Sequence, residues 1–202
     1  MSSILFMSTS VDGFVAGPND GPGNGLGDGG DVLHDWLSDG RGGIGPSGVN
    51  GELFAELLTT GAVVVGRRTF EMADEWNGDH HDGVPIFVLT RRAGDTPRWP
   101  LVTYVDDIAD GMRRAKEAAG ERDVLVHGST LARLALDAGV LDELLISQVP
   151  VLLGGGRPLF DGTGPGALEL VRVVEAPGVT HLRYRVLPIS SRRWSRATDI
   201  ES

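Results

Sequence analysis

The run Ala62-Val63-Val64-Val65 stops at Gly66 and passes at once into Arg67-Arg68-Thr69-Phe70. An unbroken apolar run, mostly β-branched, suits a strand covered on both faces rather than one with a wet side. Such a strand belongs in the middle of an α/β sheet. Gly66 marks a tight turn and the residues after it are helix-compatible, so the expectation is strand, turn, helix start. The first turn of a helix offers unpaired amides and the positive end of its dipole to an anion, and here Arg67, Arg68 and Thr69 stand beside it. Phosphate is the guest that suits this arrangement; the alternative is a solvated surface turn.

The same sentence structure recurs twice. Val84-Pro85-Ile86-Phe87-Val88-Leu89-Thr90 reads as a buried strand followed by Arg91-Arg92. Val124-Leu125-Val126 leads through His127-Gly128 to Ser129-Thr130, where Ser129 or Thr130 is expected to cap a helix burying Leu131, Leu134, Ala135 and Ala138. Strands ending this way could bring Arg67, Arg68, Arg91 and Arg92 to one edge of a sheet.

Further strands are expected at residues 4–11, 101–105 and 144–153, the last with Pro150 implying an edge or a bulge. A helix capped by Asp106 or Asp107 should follow residue 107, with Ile108, Met112, Ala115 and Ala119 at helical spacing. Residues 168–174 and 180–187, joined through Ala176-Pro177-Gly178, read as a closing antiparallel hairpin. The pattern implies one α/β domain over residues 1–188, a mixed sheet with helices on both faces, and a surface tail at 189–202.

Glycine is unevenly spread, with much of it between Gly13 and Gly51. Residues 18–50 therefore read as a flexible insertion; the spacing around Gly21-Pro22-Gly23 fits neither the Rossmann nor the Walker phosphate loop. Inside it, Asp31-Val32-Leu33-His34-Asp35-Trp36-Leu37 reads as a helical turn. The helix at residues 52–58 should bury Leu53, Phe54, Leu57 and Leu58 and close on Gly61 in the left-handed position. Asp79-His80-His81-Asp82-Gly83 reads as a solvated polar loop in preference to a metal site.

A net charge of −10 argues against a nucleic-acid surface. The chain has no cysteine, which excludes disulfides, thiolate catalysis and cysteine-ligated metal, so redox chemistry needs a bound cofactor. No run is long and apolar enough for a membrane span and Met1-Ser2-Ser3-Ile4 does not read as a signal peptide, so a cytoplasmic protein is expected.

The loop Ser10-Val11-Asp12-Gly13-Phe14-Val15-Ala16-Gly17, the turn Gly66-Arg67-Arg68-Thr69 and the stretch Pro150-Val151-Leu152-Leu153-Gly154-Gly155-Gly156-Arg157-Pro158, in this order, resemble the dihydrofolate reductase superfamily. The closest likeness is to the branch that includes the reductase domain of bacterial riboflavin biosynthesis. That resemblance spans residues 4–187 and implies a dihydrofolate-reductase-like three-layer fold, a homodimer, and NADPH as cofactor. It implies that Gly66, Arg67, Arg68 and Thr69 meet phosphates of the adenosine half, that Thr90, Arg91 and Arg92 meet the 2′-phosphate, and that His127, Gly128, Ser129 and Thr130 hold the pyrophosphate. Where many relatives carry Gly-Gly, this chain has His127-Gly128. Val15, Ala16 and Gly17 would cover the nicotinamide, and the backbone near Ser8 would meet its carboxamide. Asp31 and Asp35 fall where folate reductases keep a proton-donating carboxylate; the bland alternatives are a helix cap and a solvated face. Ser147 and Gln148 would face the substrate, with Gly155 and Arg157 beside them, Arg157 toward a substrate phosphate or as a plain turn residue. The implied activity is NADPH-dependent reduction of a nitrogen heterocycle or its ribosylamino adduct, of the 5-amino-6-(5-phosphoribosylamino)uracil reductase type. Dihydrofolate or pteridine reduction, and a protein that binds NADPH without turnover, are the rival readings.

Overall fold

The computed structural model describes residues 1–188 apart from Gly42, Ala93 and Asp95; the expected tail at 189–202 lies outside the described residues. Among the described residues ten strands form: β1 (Ser3–Thr9), β2 (Phe14–Ala16), β3 (Ala62–Gly66), β4 (Ile86–Leu89), β5 (Val102–Val105), β6 (Val124–His127), β7 (Glu143–Gln148), β8 (Arg157–Pro158), β9 (Ala167–Ala176) and β10 (Val179–Leu187). The α-helices are α1 (Gly48–Leu57), α2 (Arg67–Met72), α3 (Ile108–Ala119) and α4 (Ser129–Asp137), joined by 3-10 turns at Gly30–Leu37 and Asp74–Gly78.

Eight strands make one sheet in the order β5-β4-β3-β6-β1-β7-β10-β9. Six run parallel, while β10 is antiparallel to both β7 and β9. The valines of β3 explain its place in the interior of the sheet: Val63, Val64 and Val65 are completely buried, alternately toward the two faces. Burying one such side chain contributes about 1.5–3 kcal/mol, which only a two-sided cover can supply to consecutive residues.

One face carries Leu33, Trp36 and Leu37 of the 3-10 turn, Leu53 and Leu57 of α1, and Phe70 of α2. The other carries Met112, Ala115 and Ala119 of α3 and Leu131, Ala132 and Ala135 of α4. Helices thus cover both faces, in three layers. Helix α3 begins where its cap is expected, with the Asp107 carboxylate accepting from Asp110 N at 2.8 Å.

Several local expectations change. The segment 18–50 is built rather than slack: Gly17 N donates to Leu26 O and Asp28 N to Pro18 O, both at 2.7 Å, and the Trp36 and Leu37 side chains are buried. Strand β7 ends at Gln148, so Pro150 follows the strand instead of interrupting it. Helix α4 is capped by Gly128, with no side-chain cap from Ser129 or Thr130. Gly61 is not a left-handed helix stop; a Cβ there would lie 2.7 Å from Ala119 O, so its smallness serves close packing.

Among the described residues, no helix is long and apolar enough to cross a membrane.

Candidate functional site at the carboxyl edge of the sheet

Parallel strands bring their carboxyl ends to one edge, and ligands of open α/β sheets bind in the crevice outside such an edge. Here β1, β3, β4, β6 and β7 end at Thr9, Gly66, Leu89, His127 and Gln148. The fold therefore gathers the turns that the sequence singled out.

The ends of β3 and β4 meet. Arg67 Nη1 donates to Thr90 Oγ1 at 3.3 Å, and the same hydroxyl accepts from Arg92 N at 3.2 Å. Arg67 also lies over the Tyr104 ring, 5.3 Å from its centroid, and pairs with Glu71 at 2.7 Å. Arg91 and Arg92 are exposed beside it. Planar guanidinium groups beside a buried hydroxyl are a donor set suited to a phosphate dianion.

Arg68 takes another direction. Its Nη2 reaches the Asp20 carboxylate at 2.9 Å and the Asp20 carbonyl at 2.6 Å. Arg157 approaches the same carboxylate, Nε to Oδ2 at 2.7 Å and Nη2 to Oδ1 at 3.0 Å. The two arginines hold the Asp20 carboxyl below the usual carboxylate range, Arg157 foremost, against the opposing effect of burial. Arg68 and Arg157, expected at cofactor and substrate phosphates respectively, thus share one protein carboxylate. Asp20 itself was not singled out in the sequence, where it falls in the glycine-rich segment 18–50.

Strand β2 pairs with β8, Ala16 opposite Arg157, which joins the first loop to the Gly154-Gly155-Gly156 turn. The approach is close: a Cβ on Gly156, whose φ is +127°, would lie 2.1 Å from Ala16 O. Val15, Ala16 and Gly17 are buried in this seam, and Gly155 is partly exposed.

Gly128 has φ +109°, and a Cβ there would stand 2.7 Å from Thr69 Oγ1, so the turn after β6 touches the start of α2. The extra side chain at 127 does not crowd this contact. His127 points to the Trp36 side of the sheet, where Nδ1 meets Phe6 O at 3.1 Å and Nε2 meets His80 Nε2 at 3.2 Å. Ser129 is partly exposed and Thr130 exposed.

On that same face a buried polar row crosses β1, β7 and β10, where Ser8, Ser147 and His181 are register neighbours. Ser8 Oγ accepts from Trp36 Nε1 at 3.0 Å. Ser147 Oγ lies 2.8 Å from His181 Nδ1, and His181 Nε2 lies 3.0 Å from Asn50 Oδ1. Because Asn50 Nδ2 donates to Pro177 O, its oxygen is left to accept from His181; Nδ1 of that ring is then bare and accepts from Ser147. Burial, with Arg172 as a second cause, pushes His181 down to about 4. Ser147 is completely buried in these bonds, Gln148 partly exposed beside it, and Asp31 and Asp35 are exposed on the 3-10 turn that carries Trp36.

The loop of His80 and His81 departs from its expected solvation. His81 is 8% exposed and His80 bridges it to His127, with Trp76 packed 4.5 Å from the His80 ring. Asp74, Glu75, Trp76 and Asn77 form a left-handed turn, φ between 47° and 52°, that delivers Trp76 to this place. Four such residues in a row are costly without glycine. The His80 pair and the turn have no local sequence signature, since the partners are far apart in the chain.

A concavity of about 600 Å³ lies elsewhere, at the amino ends of β1, β6 and β7, lined by Met1, Met112, Lys116, Val140 and Asp142. It is an open groove rimmed by charged side chains and contains none of the residues gathered above.

Residues 2–182 match the family described as the RibD C-terminal domain. The Bacillus subtilis (strain 168) protein YwjB, which is uncharacterized, is 26% identical over 161 residues, 78% of this chain and 82% of that one. A Shewanella sp. PV-4 protein named for riboflavin biosynthesis superposes with a TM-score of 0.71 at 23% identity, over 93% of this chain and all of its own. The Thermotoga maritima diaminohydroxyphosphoribosylaminopyrimidine deaminase/5-amino-6-(5-phosphoribosylamino)uracil reductase superposes at 0.62 and 15% identity, over 92% of this chain and 56% of its own length. A pyrimidine reductase-like protein of Corynebacterium diphtheriae gives 0.58 at 16%, over 93% and 92%. These structural likenesses show a shared fold.

Proposed function

The chain belongs to the RibD C-terminal domain family, and from that premise we propose that it is an NADPH-dependent reductase of a small nitrogen heterocycle or its ribosylamino adduct. The observation that carries the cofactor reading is the junction of Arg67 and Thr90, with Arg91 and Arg92 exposed beside it. A 2′-phosphate beside that hydroxyl would draw Arg67 from Glu71, which is itself half exposed. The narrow turn at Gly128, touching Thr69, supplies amides without a side chain in the way. NADPH, when bound, would supply the hydride. The chain's part is to orient the two ligands and keep water out, and the β2–β8 seam closes one side of the edge for that purpose.

The reading includes a homodimer. Strand β9 is the sheet's last strand, and Leu168, Leu170, Val171 and Val173 expose 43–54% of their surface, with Leu168, Leu170 and Val173 opposite Val186, Tyr184 and Leu182 on one face. An apolar edge of that length invites pairing with a second copy. Sedimentation velocity at micromolar concentration should give a dimer; a monomer would remove this element.

The test of the cofactor reading is calorimetric titration with NADPH and with NADH in parallel. Tight binding with a strong NADPH preference is expected. Folded protein that binds neither would end it.

A further inference from the structure

We propose that His127, His80 and His81 form a buried chain that stores one proton more than three neutral imidazoles carry, running from His127 at the carboxyl end of β6 to Thr60 before the amino end of β3. The argument is a count of hydrogens. The chain begins at Phe6 O, which contacts His127 Nδ1 at 3.1 Å. His127 Nε2 meets His80 Nε2 at 3.2 Å, and His80 Nδ1 meets His81 Nδ1 at 2.7 Å. It ends where His81 Nε2 faces Thr60 O at 3.1 Å.

Both ends are backbone carbonyls, which only accept. Each of the four links needs one hydrogen, and three neutral rings supply one each. One hydrogen is missing. Taken from the Phe6 end, Nδ1 of His127 donates, leaving Nε2 to accept from His80; Nδ1 of His80 then accepts from His81, and His81 Nε2 needs a second hydrogen to meet Thr60 O.

The Thr60 hydroxyl is the other local source, 3.2 Å from His81 Nε2. Its hydrogen already serves Leu57 O at 2.9 Å. Turning it toward the ring would break that bond and still leave a bare nitrogen 3.1 Å from the Thr60 carbonyl, lone pair against lone pair. An added proton satisfies every group at once.

Burial first, then the neighbouring imidazoles, push His80 down to about 2. Burial pushes His127 down to about 4, with the Phe6 carbonyl acting in the opposite direction and His81 and His34 adding to the depression. Both are therefore the neutral members, each with one N–H, as the count requires. The other charged neighbours are Arg122, whose Nη1 shares Thr60 O at 3.4 Å and opposes the added charge, and the exposed carboxylates Asp79 and Asp82 of the loop that bears the two histidines.

In the reductase reading, reduction of a C=N or C=O bond needs one hydride at carbon, which NADPH would supply, and one proton at the heteroatom that receives the π electrons. The count places such a proton on His81, which solvent refills through residues 79–83, and a shift of one hydrogen across each of the two inter-ring links would carry the charge to His127. This use rests on that reading. Failure of NADPH binding would remove the use and leave the proton count standing.

The experiment is two-dimensional NMR of the full chain with ¹⁵N-labelled histidine rings at pH 7, where a protonated ring nitrogen resonates far upfield of a bare one. His34→Gln and His181→Gln remove the two remaining rings for assignment. The expected result is four protonated and two bare nitrogens across the three rings. Thr60→Val should leave that number unchanged, because the carbonyl ends remain. Three protonated nitrogens in the unmodified protein, or loss of the fourth in Thr60→Val, would overturn the proposal.

Discussion

The guanidinium of Arg157 grips the Asp20 carboxylate through two bonds, 2.7 Å and 3.0 Å, across 137 positions of sequence. With Arg68 on the same carboxylate, the early loop is tied to both the start of α2 and the first residue of β8. Asp20→Asn keeps the shape and removes the charge. Allowing for solvent at the partly exposed arginines, the loss should be about 1–2 kcal/mol at pH 7, read by urea unfolding. The folded-state pKa of Asp20 is lowered, so its contribution is full above the unfolded value and fades as pH falls through the folded one. The gap between the two proteins should therefore narrow in acid. A gap independent of pH would mean that charge is not what holds the loop.

Arg67 and Thr90 meet at 3.3 Å at the carboxyl edge. If this pair receives the 2′-phosphate, Arg67→Ala should weaken NADPH by about 1–3 kcal/mol and leave NADH nearly unchanged, in parallel calorimetric titrations. Equal loss for both cofactors would assign Arg67 to a phosphate they share. The same comparison on Arg91→Ala tells whether the exposed arginine takes part.

Among the described residues, Ser147 is the donor to His181 Nδ1. Ser147→Ala should leave a bare nitrogen buried and cost about 1–3 kcal/mol. The pH dependence has a definite sign. His181 titrates at about 4 when folded against 6.5 for the free side chain, so between those values the unfolded chain binds the extra proton, and stability falls as pH falls across that window. His181→Gln should make this limb of the stability profile less steep, with His127 and His80 supplying what remains; an unchanged limb would place the titration elsewhere.

The strands were readable because each is a short apolar run closed by glycine or a hydroxyl residue: Ala62-Val63-Val64-Val65 before Gly66, Val124-Leu125-Val126 before His127-Gly128. Their parallel order then brings Arg67 to Thr90 with no further information, since both follow neighbouring strands. What sequence pattern could not carry were contacts made by backbone or by distant polar groups. The glycine-rich segment looks slack because its order rests on main-chain bonds such as Gly17 N to Leu26 O, which leave no trace in side-chain periodicity. His80 and His81 look solvated because their partners, His127 and Thr60, lie 47 and 21 positions away. His181 did leave a trace: it shares the inward phase of β10 with buried Val179, a polar residue where alternation demands an apolar one.

The left-handed turn of Asp74, Glu75, Trp76 and Asn77 gives a prediction in which a smaller side chain strengthens the protein. Each non-glycine residue held in that region costs roughly 1–2 kcal/mol relative to the right-handed conformation, less for Asp and Asn. The turn is held by what it delivers: Trp76 packs against Phe70 and His80, and Glu75 accepts from Trp99 Nε1 at 2.7 Å. Asp74 is exposed with φ 50° and makes no such contact. Asp74→Gly therefore removes steric cost and no packing. Set against the greater freedom of glycine in the unfolded chain, a net gain of up to about 1 kcal/mol is expected in urea unfolding. Ala118→Gly, at an exposed position of the right-handed helix α3, should instead lose about 0.5–1 kcal/mol. Opposite signs would establish the left-handed turn in solution, whereas a loss for both variants would show that residue 74 is not held in that conformation.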